Sequence, residues 1–582
     1  MRDGKITLGQ AAAWCGGTVA PQFAETAFRG ANFDTRRLQA EELFVALVGA
    51  RNGHAFARAA MEQGAAGVLA SEGLDADIPA IYVQDTEKAL QAIAKQRRAQ
   101  LSLRCVGITG SVGKTTTKEM IAAVLETTFV TQKTAENFNN GIGLPVTVLG
   151  LSENCEAAVL EMGMNHFGEI SALTRIAQPD IAVITNVGTM HMENLGSREG
   201  ILRAKLEILE GLRPNGVAVF NGDNDLLRRE AAKYHAVTFG CGEDNTVRAR
   251  EVRVEETRTS FTARGFGEEF SVTLPVSGEH YVLDALAAIT VGLQCGVPPE
   301  KIAAALAEFR NTGMRQKRYD RDGLHIIEDC YNAGPESMRA ELKVLQGARG
   351  RRIAILGGML ELGDFAPQAH YEIGQAAAGA ADILLAYGEN SEEYVRGAKA
   401  AGMDNARCFP THEALTEALR ETGAIFRGFF RKRYIGIYIA FIVFYRFAEG
   451  LVIKIVPLFL NAPLDNQGLG LTEQQIGLYY GTFGVIAFVV GSILGGYFIA
   501  WLKLRRALFP LITIFNIPFV VYALLAWFQP ASPLLICGGI VFEYFSYGFG
   551  FVGLTLFIMQ QVAPGPHKMA HYAFGSSLAN LG

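Results

Sequence analysis

Up to about residue 423 the apolar positions fall into short runs, among them Leu43-Phe44-Val45-Ala46-Leu47-Val48, Cys105-Val106-Gly107-Ile108, Ala157-Ala158-Val159-Leu160 and Ile181-Ala182-Val183-Ile184, separated by stretches of helical spacing. Short apolar runs bounded by turn residues are buried strands. Their alternation with helices predicts a mostly parallel sheet covered on both faces, hence an α/β protein. From about Tyr434 the pattern changes, and apolar runs follow at about 434–460, 476–500, 507–529 and 534–562, with the start of another at 570. Most of these exceed the ~20 residues that cross a bilayer. The pattern therefore predicts an α/β domain over 1–82, a central P-loop domain over 83–312, a third α/β domain over 313–423, and an all-α transmembrane segment over 424–582 with four complete helices plus a clipped fifth.

Charge follows the same division. Residues 425–582 hold ten Lys/Arg and four Asp/Glu, a net +6, which with the chain's total of −5 leaves −11 on the rest. An acidic soluble part argues against a nucleic-acid partner. Basic residues cluster at 431–433, 503–506 and 568, while the loops near Asp465, Glu473 and 530–533 have none. By the positive-inside rule, the soluble part is then cytoplasmic and the C-terminal part lies in the cytoplasmic (inner) membrane. Arg446, Glu449, Lys454 and Glu543 fall inside apolar spans, where charges mark a pathway or a pair; Arg446 and Glu449, three apart, are placed to pair on one helix face. The first thirty residues hold no apolar signal segment, and the eight cysteines lack Cys-x-x-Cys pairing, so they read as reduced and mostly buried.

The chemistry concentrates in Thr109-Gly110-Ser111-Val112-Gly113-Lys114-Thr115-Thr116, where an apolar strand runs into a glycine-rich turn ending in Lys-Thr-Thr. Backbone N–H groups of such a turn cradle the phosphates of ATP, Lys114 reaches their outer oxygens, and the Thr115 hydroxyl can ligate Mg²⁺. The strict spacing is not met, because Ile108 stands where the first glycine belongs. Downstream, an apolar strand delivers Glu161, and a second, Ile181 to Gly188, delivers His191 and Glu193 at its carboxyl end, where ligands of open α/β sheets sit. Lys205 lies on a helix as an ordinary solvated lysine would. Asp34-Thr35-Arg36-Arg37 and Arg51-Asn52-Gly53-His54 flank the first strand and suit an anion as well as they suit solvent.

Taken in order, these pieces with Asn137-Phe138-Asn139-Asn140-Gly141-Ile142-Gly143-Leu144-Pro145, Glu161-Met162-Gly163-Met164-Asn165, Thr185-Asn186-Val187-Gly188, Ala204-Lys205-Leu206-Glu207, Gly278-Glu279-His280, Gly313-Met314-Arg315 and Asp329-Cys330-Tyr331-Asn332 form a set. In this set, residues 1 to about 422 resemble the Mur ligases of peptidoglycan synthesis, and within them those that add D-alanyl-D-alanine to UDP-N-acetylmuramoyl-tripeptide. The resemblance implies an ATP-dependent amide-forming ligase working through an acyl phosphate. It implies nucleotide contacts from Thr109, Gly110, Ser111, Gly113, Lys114, Thr115, Thr116, His280, Arg315 and Asp329, with Lys114, His191 and Lys205 as catalytic residues. It further implies two Mg²⁺, one on Thr115 and Glu161 and one on His191 and Lys205, the lysine carrying a carbamate because an ammonium cannot ligate a cation. Thr35, Arg36, Asn137 and Asn140 are its implied substrate contacts.

Four departures accompany the resemblance: Tyr281 and Asp284 replace asparagines common after the family's histidine, Gly334 stands at an asparagine position, and Gly358 at an aspartate position. The third domain also lacks the further strand and Gly-Ser-Arg loop expected after Gly423. Beyond it, Tyr445-Arg446-Phe447-Ala448-Glu449-Gly450, Gly481-Thr482-Phe483-Gly484 and Leu494-Gly495-Gly496 resemble the second half of a major-facilitator transporter of the muropeptide-permease type. Half of that fold lacks the opposing bundle that alternating access needs. Two readings of the join stay open: a chimeric reading frame, or a membrane-tethered fusion coupling muropeptide transport to precursor ligation.

Overall fold

A computed structural model describes residues 5–49, 51–321, 323–446, 455–464 and 468–579, with the side chains of 421–426 left aside. Glu449 and Lys454 lie outside the described residues. The chain divides into two compact units, Met1–His412 and Glu413–Gly582. The join read from the sequence at 423/424 falls within one continuous helix, His412–Phe430.

The N-terminal part of the first unit is a five-stranded sheet in the order Thr18–Val19, Ala80–Tyr82, Gly67–Ala70, Leu43–Val45, Ala31–Asn32, parallel except at its first pair. Leu43, Val45, Val68 and Leu69 are fully buried, as continuous apolar strands covered on both faces must be.

The central domain carries a nine-stranded sheet. Its strands are β1 (Arg104–Thr109), β2 (Thr131–Lys133), β3 (Ala157–Glu161), β4 (Ile181–Ile184), β5 (Val217–Asn221), β6 (Val237–Gly240), β7 (Val247–Val254), β8 (Thr259–Gly265) and β9 (Glu268–Leu274), in the spatial order β9-β8-β7-β6-β5-β4-β1-β3-β2. From β2 to β7 every neighbouring pair is parallel, whereas β7-β8 and β8-β9 are antiparallel. The sheet is thus mixed, with a β-meander appended to the expected parallel core. Helices α1 (Lys114–Glu126) and α2 (His280–Gln294) cover one face, where Val106, Ile108, Ile121, Val124, Leu286 and Ile289 share one core. The order reverses at β1, since β3 and β4 lie on its two sides, so the carboxyl ends of β1, β3 and β4 open onto one crevice.

The third domain holds a hairpin (Lys317–Arg321 with Leu324–Glu328), helix α3 (Pro335–Gln346), and a parallel sheet of Ile353–Leu356, Ile383–Tyr387 and Ala406–Phe409. Among the described residues no further strand joins that sheet after Phe409. Ile353 and Ile355, on its outer strand, are 43% and 53% exposed.

The second unit is helical. Among the described residues, three of its helical stretches are long and apolar enough to cross a membrane: Glu473–Leu502, Leu504–Phe528 and Pro533–Val562. The expected first span is described as a shorter apolar helix, Ile435–Tyr445, and a further helix runs over Lys568–Ala579. The first and third long helices meet backbone to backbone: a Cβ on Gly491 would stand 2.1 Å from the Phe545 carbonyl oxygen, and one on Gly548 would stand 2.1 Å from that of Phe488. Small residues that let helix backbones touch are the usual packing device in lipid. Glu543 is buried and accepts a hydrogen bond from the Tyr522 hydroxyl at 3.0 Å. Arg446 is half-buried at the end of its helix.

The cysteines are all unpaired, but the expectation that most are buried is corrected. Cys105, Cys155 and Cys295 are buried and Cys241, Cys330 and Cys408 exposed, the last on the edge strand Ala406–Phe409.

Candidate active site

The crevice at the ends of β1, β3 and β4 is a cavity of about 550 Å³. Its floor is the glycine-rich turn between β1 and α1. Gly110 is packed so closely that a Cβ would fall 1.8 Å from Thr185 Oγ1, and Gly113 has the left-handed φ of +82° at the entry to α1. Asn186 Oδ1 accepts hydrogen bonds from the N–H groups of both Ser111 and Val112 at 2.9 Å, Thr185 Oγ1 donates to the Val112 carbonyl at 2.6 Å, and Ser111 Oγ accepts from the Gly188 N–H at 3.0 Å. The turn after β4 therefore shapes the phosphate loop. Lys114 folds back and donates to the Gly110 carbonyl at 2.8 Å, and burial lowers its pKa. Thr115 and Thr116 line the cavity, and Thr109 is fully buried beneath it.

Glu161 ends β3 almost wholly buried, at 2% exposure. Its Oε1 accepts from Asn139 Nδ2 at 2.8 Å, while its buried Oε2 has no hydrogen-bond partner. Lys118, on the second turn of α1, stands 3.9 Å from that oxygen. Glu161 lines the cavity as Thr115 does, and together they offer the hard oxygens that suit Mg²⁺, which takes one or two protein oxygens and completes its shell with phosphates and water. Among the described residues there is no group of three or more His, Cys, Asp or Glu side chains that could hold a metal ion.

His191 sits on the loop after β4 with a left-handed φ of +65°. Burial lowers its pKa first, and the Lys114 ammonium adds to this, against the opposing pull of Glu361. Lys205, on helix Arg198–Leu206, is 1% exposed, and its pKa falls well below the usual lysine value through burial and then Lys114, with nothing acidic offsetting either. The solvated lysine suggested by local sequence is thus an interior amine, biased towards the neutral, nucleophilic form.

The third domain supplies the opposite wall. Arg315 Nη2 donates to Thr115 Oγ1 at 3.2 Å, with its guanidinium 4.0 Å over the Tyr331 ring. His280 Nε2 lies 3.4 Å from Glu341 Oε1. Burial drives His280 down to about 4 and raises Glu341 to about 7, so at neutral pH this contact is closer to a hydrogen bond than to an ion pair. Burial also raises Asp329, whose Oδ1 accepts from the Gln316 N–H at 3.3 Å. On α2, Tyr281 accepts from Asn311 at 2.7 Å, and Asp284 accepts from Thr117 at 2.9 Å and is pushed by burial up to about 7.

Not every expected residue converges here. Asn140 lines the cavity, where its Oδ1 caps the helix starting at Gly143. Asn137 is exposed outside the lining, and the asparagine that touches Glu161 is Asn139, which the run Asn139-Asn140 does not distinguish by pattern. Thr35 and Arg36 lie in the N-terminal domain outside the lining, Arg36 being paired with Asp34 at 2.7 Å and holding that carboxyl at about 2. Local sequence gave no sign of Glu336 and Glu361, third-domain carboxylates that touch the loop bearing His191.

The Mur ligase middle domain family matches residues 108–292, and the Mur ligase, glutamate ligase domain family matches residues 314–424. UDP-N-acetylmuramoyl-tripeptide--D-alanyl-D-alanine ligase of Bacillus subtilis (strain 168) is 42% identical over 434 residues, covering 72% of this chain and 93% of that protein. Among solved structures, MurF from Acinetobacter baumannii aligns with a TM-score of 0.67 at 32% identity, covering 73% of this chain and 94% of that one. MurF ligase from Thermotoga maritima in complex with ADP aligns with a TM-score of 0.60 at 27% identity, covering 70% of this chain and 92% of that one. The chain belongs to the Mur ligase family.

Proposed function

We propose that this protein is the ATP-dependent ligase that adds D-alanyl-D-alanine to UDP-N-acetylmuramoyl-tripeptide in the cytoplasm. The observation that carries the reading is the convergence of a phosphate loop, the buried carboxylate of Glu161 and the imidazole of His191 at the carboxyl ends of the central strands, with Arg315 of the third domain reaching Thr115 and Lys205 buried where it feels the Lys114 charge. Relatives of that name spanning nearly their full length supply the substrate.

In this reading the loop N–H groups and Lys114 hold the ATP phosphates, and Lys114 leaves the Gly110 carbonyl to do so. The γ-phosphoryl passes to the terminal carboxylate of the tripeptide, and the amine of D-alanyl-D-alanine attacks the acyl phosphate, expelling phosphate. Mg²⁺, when bound, neutralises charge on the phosphates. Thr115 and Glu161 are the residues to hold one ion. His191 and Lys205 are those to hold a second, provided CO₂ converts the Lys205 amine to a carbamate, and burial without an acidic partner favours the neutral amine that this requires. His280 of the central domain and Arg315 and Asp329 of the third domain line the same cavity and are the residues to meet the nucleotide.

For the second unit we propose attachment to the membrane through its three long apolar helices. Its resemblance to half of a major-facilitator fold supports a transporter ancestry, and transport by this chain is not assigned. The test is phosphate release by the full chain in detergent with ATP, Mg²⁺, UDP-N-acetylmuramoyl-tripeptide and D-alanyl-D-alanine. Release that needs both acceptors and falls at least a hundredfold in Lys114→Ala is expected; release indifferent to the dipeptide would overturn the assignment.

A further inference from the structure

His191 lines the cavity, and its ring is met by a side chain of the third domain. Its Nδ1 lies 2.5 Å from Oε2 of Glu361, on the third-domain loop that follows Ile353–Leu356. A carboxylate only accepts hydrogen bonds, so in the neutral imidazole the proton must sit on Nδ1, which leaves the Nε2 lone pair as the ligating atom. This is the arrangement in which metal-bound histidines are usually found, with the second ring nitrogen donating to a carboxylate that fixes tautomer and ring orientation.

The contact is built rather than incidental. Both residues hold left-handed backbones, φ +65° for His191 and +61° for Glu361, and neither is a glycine. The two loops are also joined through main chain, the Glu193 N–H donating to the Glu361 carbonyl at 3.3 Å. Two residues away, Glu336 of α3 accepts from the Thr189 N–H at 2.8 Å and from its hydroxyl at 3.0 Å. The third domain thus grips the 189–193 loop with two carboxylates, one of them on the histidine itself.

We propose that Glu361 is a positioning residue that orients His191 for the second cation, so that docking of the third domain and filling of that cation site are coupled. The inference rests on the two-cation reading above. Glu361 does not itself ligate. Its carboxylate acts through the imidazole, and opening of the third domain removes it. By linkage, a cation on His191 favours the docked domain as much as docking favours the cation.

The test is Mn²⁺ binding by the full chain in detergent with a non-hydrolysable ATP analogue, followed by electron paramagnetic resonance, for the wild type, Glu361→Gln, His191→Ala and the double variant. The expected result is two Mn²⁺ sites in the wild type, with Glu361→Gln weakening one of them 10–100-fold, the usual loss on removing an outer partner of a ligand, and leaving the other unchanged. Added to His191→Ala, the Glu361 change should cost nothing more. Two sites with Glu361→Gln indistinguishable from wild type would overturn the inference alone, as would an equal loss in both backgrounds, which marks a merely structural contact. A wild type holding a single Mn²⁺ would overturn the two-cation reading and the inference with it.

Discussion

At the residue scale, Asp284 is a carboxyl whose surroundings do not favour its charge. Its carboxyl is 7% exposed, accepts one hydrogen bond from Thr117, and has no cation beside it, so burial raises it to about 7 from an ordinary value near 3.8. Between those values the folded state keeps a proton that the unfolded chain releases. Stability therefore falls as pH rises from about 4 to about 7 and stays reduced above that, by an amount on the order of a few kcal/mol. Asn keeps the shape and the hydrogen bond but carries no charge. Asp284→Asn should thus raise the unfolding temperature of the ligase unit at pH 8 by several degrees and change it little near pH 4.5, as read by calorimetry across pH. An unchanged difference between the two pH values would show that the carboxyl is solvated after all. Lys114, Glu161 and His191 were legible in the sequence because each follows an apolar strand directly, and strand ends converge. Asn139, Glu336 and Glu361 were not. A choice among three asparagines in one loop, and the landing points of a separate domain, are set by tertiary docking that no local spacing encodes.

At the scale of elements, the sequence pattern predicted the parallel core but not the β7–β9 meander. Those strands carry charged residues at exposed positions, such as Arg250, Arg253 and Glu268, and read as polar, although the turn at Phe266-Gly267, with φ of +54° and +88°, is a hairpin signal in retrospect. The helical unit shows the reverse case, where apolar length is legible and the packing face is not. Gly491 and Gly496 look alike in an apolar helix, yet a Cβ at Gly491 would strike the Phe545 carbonyl while one at Gly496 meets nothing within 4 Å. Alanine brings the same gain in helix propensity at both, about 1 kcal/mol. Gly491→Ala must also force two helix backbones apart, which costs about 1–3 kcal/mol or more. Melting of the detergent-solubilised chain, followed by the retained monodisperse fraction, should therefore drop for Gly491→Ala and hold or rise for Gly496→Ala. Equal effects would show that the helices do not meet on the Gly491 face.

For the whole molecule, the division into an acidic α/β part and a basic apolar part is the feature most directly written in the sequence, because hydropathy and charge are additive along a chain and need no tertiary knowledge. Exactly where one unit yields to the other is less so, since helix His412–Phe430 runs through the change in composition. The topology to be tested is the one the positive-inside rule gives, with the clusters at 431–433, 503–506 and 568 on the cytoplasmic side, where a ligase finds its nucleotide, and the loop after Phe528, which carries no basic residue, on the outer side. Cys241, Cys330 and Cys408 are exposed on the ligase unit and act as built-in reporters of the inner side. In spheroplasts of cells making the Cys537→Ala chain, a membrane-impermeant maleimide should leave these three unlabelled until the membrane is opened, whereas the same chain with Ser532→Cys should be labelled from outside at once. Labelling of the native cysteines in sealed spheroplasts would invert the topology and strand the ligase away from its nucleotide. Recovery of the chain in the soluble fraction would show that the apolar helices do not enter the bilayer at all.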